Sequence, residues 1–93
     1  GYCVLARNFR YPLGEVDLIV RRGRLLIFAE VKFRADFDTG PYAVSLAQWW
    51  RICAGSSRFV ALHPHYAGLV WRLDLFVVSG NARFRYNKNF WHP

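Results

Sequence analysis

Residues 14–32 read GEVDLIVRRGRLLIFAEVK, two apolar runs rich in strand formers and separated by Arg22-Gly23-Arg24. Such runs, broken by a glycine free to take positive φ, predict two antiparallel strands joined by a tight hairpin. The strands are expected over Glu15–Arg21 and Leu25–Arg34. The second is apolar on both faces, which places it at the centre of the sheet. Into these runs the sequence inserts Glu15, Asp17, Glu30 and Lys32. Side chains alternate along a strand, so Glu15 and Asp17 are expected to point one way, with Val16, Leu18 and Val20 on the other face. Glu30 and Lys32 share a face for the same reason. If Arg22-Gly23 is the turn, Glu15 lies opposite Glu30 with Asp17 diagonal to it. If Gly23-Arg24 is the turn, Asp17 faces Glu30 and Glu15 faces Lys32. Either register gathers all four groups on one side of the sheet, and only a one-residue slip separates them.

Such a cluster needs help. Two carboxylates about 5 Å apart repel by roughly 3 kcal/mol at an effective dielectric near 20. Protonation, a paired cation or a bound metal relieves this. Hard oxygen ligands suit Mg²⁺ or Mn²⁺, which take one or two carboxylates together with water and substrate phosphate. Lys32, one strand repeat from Glu30, can then reach the attacking water or the phosphate, as metal-assisted hydrolysis of a phosphodiester requires. The alternative is a salt-bridge network at a sheet end, with Lys32 and an arginine neutralising the acids.

Upstream of the hairpin, Tyr2–Asn8 reads as a first strand and Tyr11-Pro12-Leu13-Gly14 as turn chemistry. Downstream, Asp36–Tyr42 reads as a loop. Ser45 and Gln48 then form a capping box opening a helix that runs to about Leu62, before Pro64. On that helix Gln48, Arg51, Gly55 and Arg58 make a polar stripe, and Trp49, Ile52, Cys53, Phe59 and Val60 the apolar side. Val70–Ser79 is a fourth strand, and ARFRYNKNFW holds a short fifth. The fold class is therefore α/β, a mixed sheet with a long helix packed on it, in the order β-β-β-α-β-(β).

Ninety-three residues that are 54% hydrophobic support a single domain, residues 1–93, and argue against disorder. Thirteen basic residues, eleven of them arginine, oppose six acidic ones for a net charge of +7. Arginine pairs bidentately with phosphate, so the balance favours a polyanionic partner, most simply nucleic acid, over a solubilising basic surface. No apolar run reaches the roughly 20 residues of a membrane span, and no secretory signal opens the chain, which favours the cytoplasm. Cys3 and Cys53 are too few and too distant for a disulfide framework or a zinc site, and are expected as buried free thiols. A chain that lacks methionine and opens inside the apolar phrase GYCVLAR is expected to have lost an upstream segment.

The ordered set G-E-x-D-L-I, hairpin, E-V-K resembles the PD-(D/E)XK nuclease core, and more closely the YraN-type family of small endonuclease-like proteins. GYCVLARNFR, AVSLAQWWRICAGSSRFVALHP, WRLDLFVVSG and YNKNFW extend the likeness over nearly the whole chain. The resemblance implies a restriction-endonuclease-like fold, similar to archaeal Holliday-junction resolvases. It implies Asp17 and Glu30 as ligands of Mg²⁺ or Mn²⁺, assisted by the Val31 carbonyl. Lys32 would activate the water and stabilise charge on the phosphorane, and Glu15 would be an accessory acid. Gln48 matches a helix glutamine of the family, a position that its capping role already explains. The chain departs from the family in having no N-terminal helix with its glutamate, and in carrying Ala47-Gln48-Trp49-Trp50 where basic residues are usual. An uncovered sheet face or Trp49/Trp50 would then invite a homodimer.

Arg7, Arg10, Arg21, Arg22, Arg24 and Arg34 are the candidates for phosphate contacts. Asp74 either approaches the acids or partners Arg72, and His63 and His65 are expected as exposed residues at the helix end. Three functions follow: a metal-dependent nuclease acting on DNA, a non-cleaving nucleic-acid-binding domain of the same fold, and a protein-interaction domain.

Overall fold

The computed structural model describes residues 1–34, 45–79 and 84–87. Five strands form one sheet in the order β1 (Cys3–Tyr11), β2 (Gly14–Arg22), β3 (Leu25–Arg34), β4 (Val70–Ser79) and β5 (Phe84–Asn87). The helix α1 (Leu46–Leu62) lies between β3 and β4 in the chain. Those two strands pair in parallel and all other neighbours antiparallel. A parallel pair needs a long crossover, and α1 supplies it. The expected α/β class, strand order and helix are as the sequence indicates; the Asp36–Tyr42 loop and the end of the ARFRYNKNFW stretch lie outside the described residues.

Arg22 pairs with Leu25, so Gly23-Arg24 is the hairpin turn, and Gly23 takes φ +58°. The first strand runs three residues further than its alternation indicated, to Tyr11. Tyr11 pairs with Gly14, leaving Pro12-Leu13 as a second tight turn.

The alternation expected of Val16, Leu18 and Val20 does not hold. Val16 and Ile19, three residues apart, both pack with Phe28 and Phe59 beneath α1. Leu18 and Val20 line the opposite face with Ile27 and Ala29. The neighbouring strand is irregular as well: its register shifts between Val4 and Ala6, Leu5 packs against the core, and so do Ala6 and Phe9, three residues apart. Between them Asn8 takes φ +50°, a left-handed conformation in which asparagine is enriched. The pleat thus reverses in both strands near Asn8 and Asp17, at the position where the candidate acid sits.

The helix begins as its sequence indicates. Gln48 N–H donates to Ser45 Oγ at 3.1 Å, and Ser45 N–H donates to Gln48 Oε1 at 3.0 Å. Its buried seam is Ile52, Gly55, Ser56, Phe59 and Val60. Gly55, expected on the polar stripe, is instead where α1 touches β2. A Cβ there would lie 2.9 Å from the Glu15 backbone nitrogen, and one on Gly14 would lie 2.5 Å from Gly55 N. Trp49 is half-buried and Trp50 is 65% exposed. Both cysteines are free, but Cys3 is exposed and Cys53 half-buried, because Cys3 lies on the edge strand. Among the described residues no helix is long and apolar enough to cross a membrane.

Candidate active site

The close glycine contact fixes α1 against Gly14-Glu15-Val16, and this sets one wall of the candidate site. The other wall is β3. The paired rungs of β2 and β3 run from Arg22↔Leu25 to Leu18↔Ala29. Beyond the last rung the Val31 N–H donates to Asp17 Oδ2 at 2.8 Å, so a side chain continues the ladder in place of backbone. In an extended strand a residue's N–H and C=O point to the same side. The Val31 carbonyl is therefore turned towards β2 as well.

Glu30 lies one residue earlier and is 5% exposed. Alternation along β3 puts Glu30 and Lys32 on the face of Phe28, the face that α1 covers. Lys32 Nζ lies 2.8 Å from Glu30 Oε1, with the lysine side chain 25% exposed. Burial pushes the Glu30 carboxyl above its ordinary value, the charges of Asp17 and Glu15 push it further, and Lys32 opposes them. The opposition of Lys32 is incomplete. Glu15 is half-buried, and Arg10 Nε lies 3.9 Å from its Oε2, a loose and largely exposed pair.

Asp17, Glu30 and Lys32 thus lie together at the end of β2 and β3 away from the hairpin. Glu15, next to the inward-facing Val16, points to the other face and acts on Glu30 only through its charge. The geometry follows the Gly23-Arg24 register, modified by the pleat reversal at Asp17. Among the described residues no group of three or more histidine, cysteine, aspartate or glutamate side chains is arranged to hold a metal ion. No buried side-chain nitrogen or oxygen there lacks a hydrogen-bond partner. Two carboxylates and a carbonyl, completed by water and phosphate, match the sparse oxygen set that Mg²⁺ takes.

Asp74 does neighbour β3, opposite Ala29, but on the face away from α1. It is fully buried, and Arg72 donates to both its oxygens, Nε to Oδ1 and Nη2 to Oδ2, each at 2.9 Å. It belongs to a structural ion pair. His63 caps α1 through Nδ1, 2.9 Å from the Phe59 carbonyl oxygen, and is half-buried rather than exposed; His65 is exposed.

The six arginines divide in two. Arg7 pairs with Leu18 and Arg10 with Glu15, beside the acids. Arg34 ends β3 beyond Lys32, and its side chain lies outside the described residues. Arg21, Arg22 and Arg24 sit at the hairpin, at the opposite end of the strands. Nearness in sequence suggested one group, but a strand carries residues apart by about 3.3 Å each. The reversal at Asn8 was missed by strict alternation. An asparagine inside a run of strand formers is the signal that could have located it.

A model of the family described as "Uncharacterised protein family UPF0102" matches residues 1–78. The chain is similar to a UPF0102 protein of Dinoroseobacter shibae, 49% identical over 91% of this chain and 63% of that protein. UPF0102 proteins of two Rhodopseudomonas palustris strains are 42% and 40% identical over 85% of this chain, and 58% and 61% of their own lengths. The chain thus spans about three fifths of the length of these curated relatives.

Proposed function

The chain belongs to the UPF0102 family, and we propose that it is a Mg²⁺- or Mn²⁺-dependent nuclease domain hydrolysing phosphodiesters of DNA. The observation that supports this most is the convergence of Asp17, Glu30 and Lys32 at one strand end. There burial, together with the Asp17 charge, raises the cost of ionising Glu30, and Lys32 opposes it. Asp17, Glu30 and the Val31 carbonyl are the groups that would hold the ion. A bound divalent ion would supply Lewis acidity at the phosphate and lower the pKa of a water.

The remaining work falls to this chain's own side chains. Lys32 would shift its ammonium from Glu30 towards the phosphate oxygens or the attacking water, stabilising charge as it develops. Glu15 would act as an accessory acid. The Val31 N–H holds Asp17 in place, so that the carboxylate does not have to be ordered when substrate arrives. Arg7 and Arg10 flank the acids and would position the phosphodiester backbone without reading bases.

One observation favours a second reading, a nucleic-acid-binding domain of the same fold that does not cleave. Asp17 already accepts from Val31, and Glu30 already faces Lys32, so the acids are satisfied without an ion. Incubation of purified protein with plasmid, forked and single-stranded DNA, in Mg²⁺, Mn²⁺ or EDTA, separates the two. The nuclease reading expects metal-dependent cutting that EDTA stops. Salt-sensitive binding without cutting in either metal favours the second.

A further inference from the structure

The hairpin end of the sheet is basic and aromatic, and the acids lie well away from it. The registers Cys3↔Arg21, Arg21↔Leu26 and Leu26↔Trp71 set the ends of β1, β2, β3 and β4 side by side. Three strand spacings make this rim about 14 Å wide. Along it lie Tyr2, Arg22 and Arg24, with Tyr2 on the sheet face away from α1, while Trp71 packs on Phe28 at 5.5 Å on the α1 face. Tyr2 is 56% and Trp71 39% exposed, large fractions for aromatic rings. The Arg22 guanidinium stands over the Tyr2 ring, 5.2 Å from its centroid. Hydrogen bonding to Arg22 holds the Tyr2 hydroxyl below its ordinary pKa. Arg24 projects from a turn pinned by Val70 N–H donating to its carbonyl oxygen at 2.8 Å. Arg21, behind them, donates from Nε to the Gly23 carbonyl oxygen at 2.8 Å, and its guanidinium lies 5.6 Å from the Tyr66 ring centroid.

Among the described acids none neutralises this rim. Asp74 is buried and taken by Arg72. Asp17 is five residues along β2 from Arg22, about 17 Å at strand rise. Arg22 gives a donor to the Tyr2 hydroxyl, and a guanidinium has five N–H donors, so others are left for a phosphate. The exposed ring faces are of use only to bases that are not already stacked in a duplex.

We propose that this rim binds single-stranded nucleic acid, with a base stacking on the exposed Tyr2 ring and phosphates lying on Arg22 and Arg24. The proposal rests on the nucleic-acid reading above but not on cleavage. A single strand held here has about 17 Å to run along β2 before it reaches the acids. The rim would thus hold an unpaired tail while the flanking phosphodiester lies at Asp17 and Glu30.

The test is fluorescence anisotropy of a labelled oligodeoxythymidine and of a blunt duplex of equal length, in EDTA across a salt series. The parent, Tyr2→Ala and the double variant Arg22→Ala/Arg24→Ala are compared, with thermal melting of each as the folding control. Tyr2 is exposed and lies on the sheet face away from the core under α1, and the melting control separates lost binding from lost folding. The proposal expects tighter binding of the single strand than of the duplex. Tyr2→Ala weakens single-strand binding about tenfold and duplex binding little. The double arginine variant lowers the salt slope by about 1.4. Equal affinity for single strand and duplex overturns the proposal, as does single-strand binding by Tyr2→Ala equal to the parent's. Displacement of the oligonucleotide by polyglutamate at matched charge also overturns it, in favour of an acidic protein partner. Intact rim binding without metal-dependent cutting sinks the nuclease reading alone, and normal cutting with unaffected rim variants sinks the rim alone.

Discussion

Asp17 on β2 accepts a hydrogen bond from the backbone N–H of Val31 on β3 at 2.8 Å, directly beyond the last backbone rung between those strands. A carboxylate proposed for chemistry is thereby also a structural element of the sheet. The two roles can be separated. Asparagine keeps an acceptor oxygen but loses the charge, whereas alanine leaves the Val31 N–H without its partner.

Asp17→Ala should therefore cost about 1–3 kcal/mol of folding stability, the usual penalty for orphaning a part-buried donor. Asp17→Asn should cost clearly less, while both abolish metal-dependent cutting. Urea unfolding of the two variants beside the parent measures this. Equal destabilisation by both would show that the Val31 bond is not what the alanine variant loses.

Glu30 makes stability depend on pH. Burial and the charges of Asp17 and Glu15 raise its carboxyl pKa in the fold. Between the ordinary glutamate value and the raised one, the folded state holds more protons than the unfolded state, so stability falls as pH rises. Glu30→Gln removes the titration. The variant should match or trail the parent in acid and gain on it as pH rises to neutral, as read from urea midpoints over a pH series. A gap that moves the other way would mean that Lys32 outweighs burial at this carboxylate.

The helix is held to the site by two glycines. A Cβ on Gly14 would meet Gly55 N at 2.5 Å and Arg51 O at 2.8 Å, and one on Gly55 would meet Glu15 N at 2.9 Å. All are backbone atoms, which cannot swing aside. Gly55→Ala gains up to about 1 kcal/mol of helix propensity, yet should lose about 1–3 kcal/mol through overpacking. Gly14→Ala should lose more. Gly68→Ala, with open space around it, is the tolerated control. Chemical denaturation ranks the three; a neutral Gly14→Ala would refute the close approach.

How far the sequence was legible follows from which physical effect dominates at each place. The capping box at Ser45 and Gln48 and the turn at Gly23 are local devices, and local devices are readable in a window of a few residues. The apolar run of β3 announced its central position for the same reason. Strict alternation failed at Asp17 because the pleat reverses there in two strands at once, with Asn8 on the neighbouring strand in a left-handed conformation. Gly55 looked polar-sided by helical spacing, since its missing side chain carries no hydropathy to mark the seam. The arginines near residue 22 looked adjacent to the acids because sequence distance hides the length of an extended strand. What remained readable was the meeting of Asp17, Glu30 and Lys32 near one another, since the hairpin turn sets that register.

The most direct measurement is the rate of DNA cutting in Mg²⁺ by the parent and by Lys32→Ala, purified in parallel and matched for DNA binding. The account predicts that the parent cuts, and that the variant binds as the parent does but cuts slower by roughly 100-fold or more, the scale of a lost water-activating group. A Lys32→Ala protein that cuts at the parent's rate, or a folded parent that binds DNA in Mg²⁺ and Mn²⁺ and leaves it whole, would contradict it.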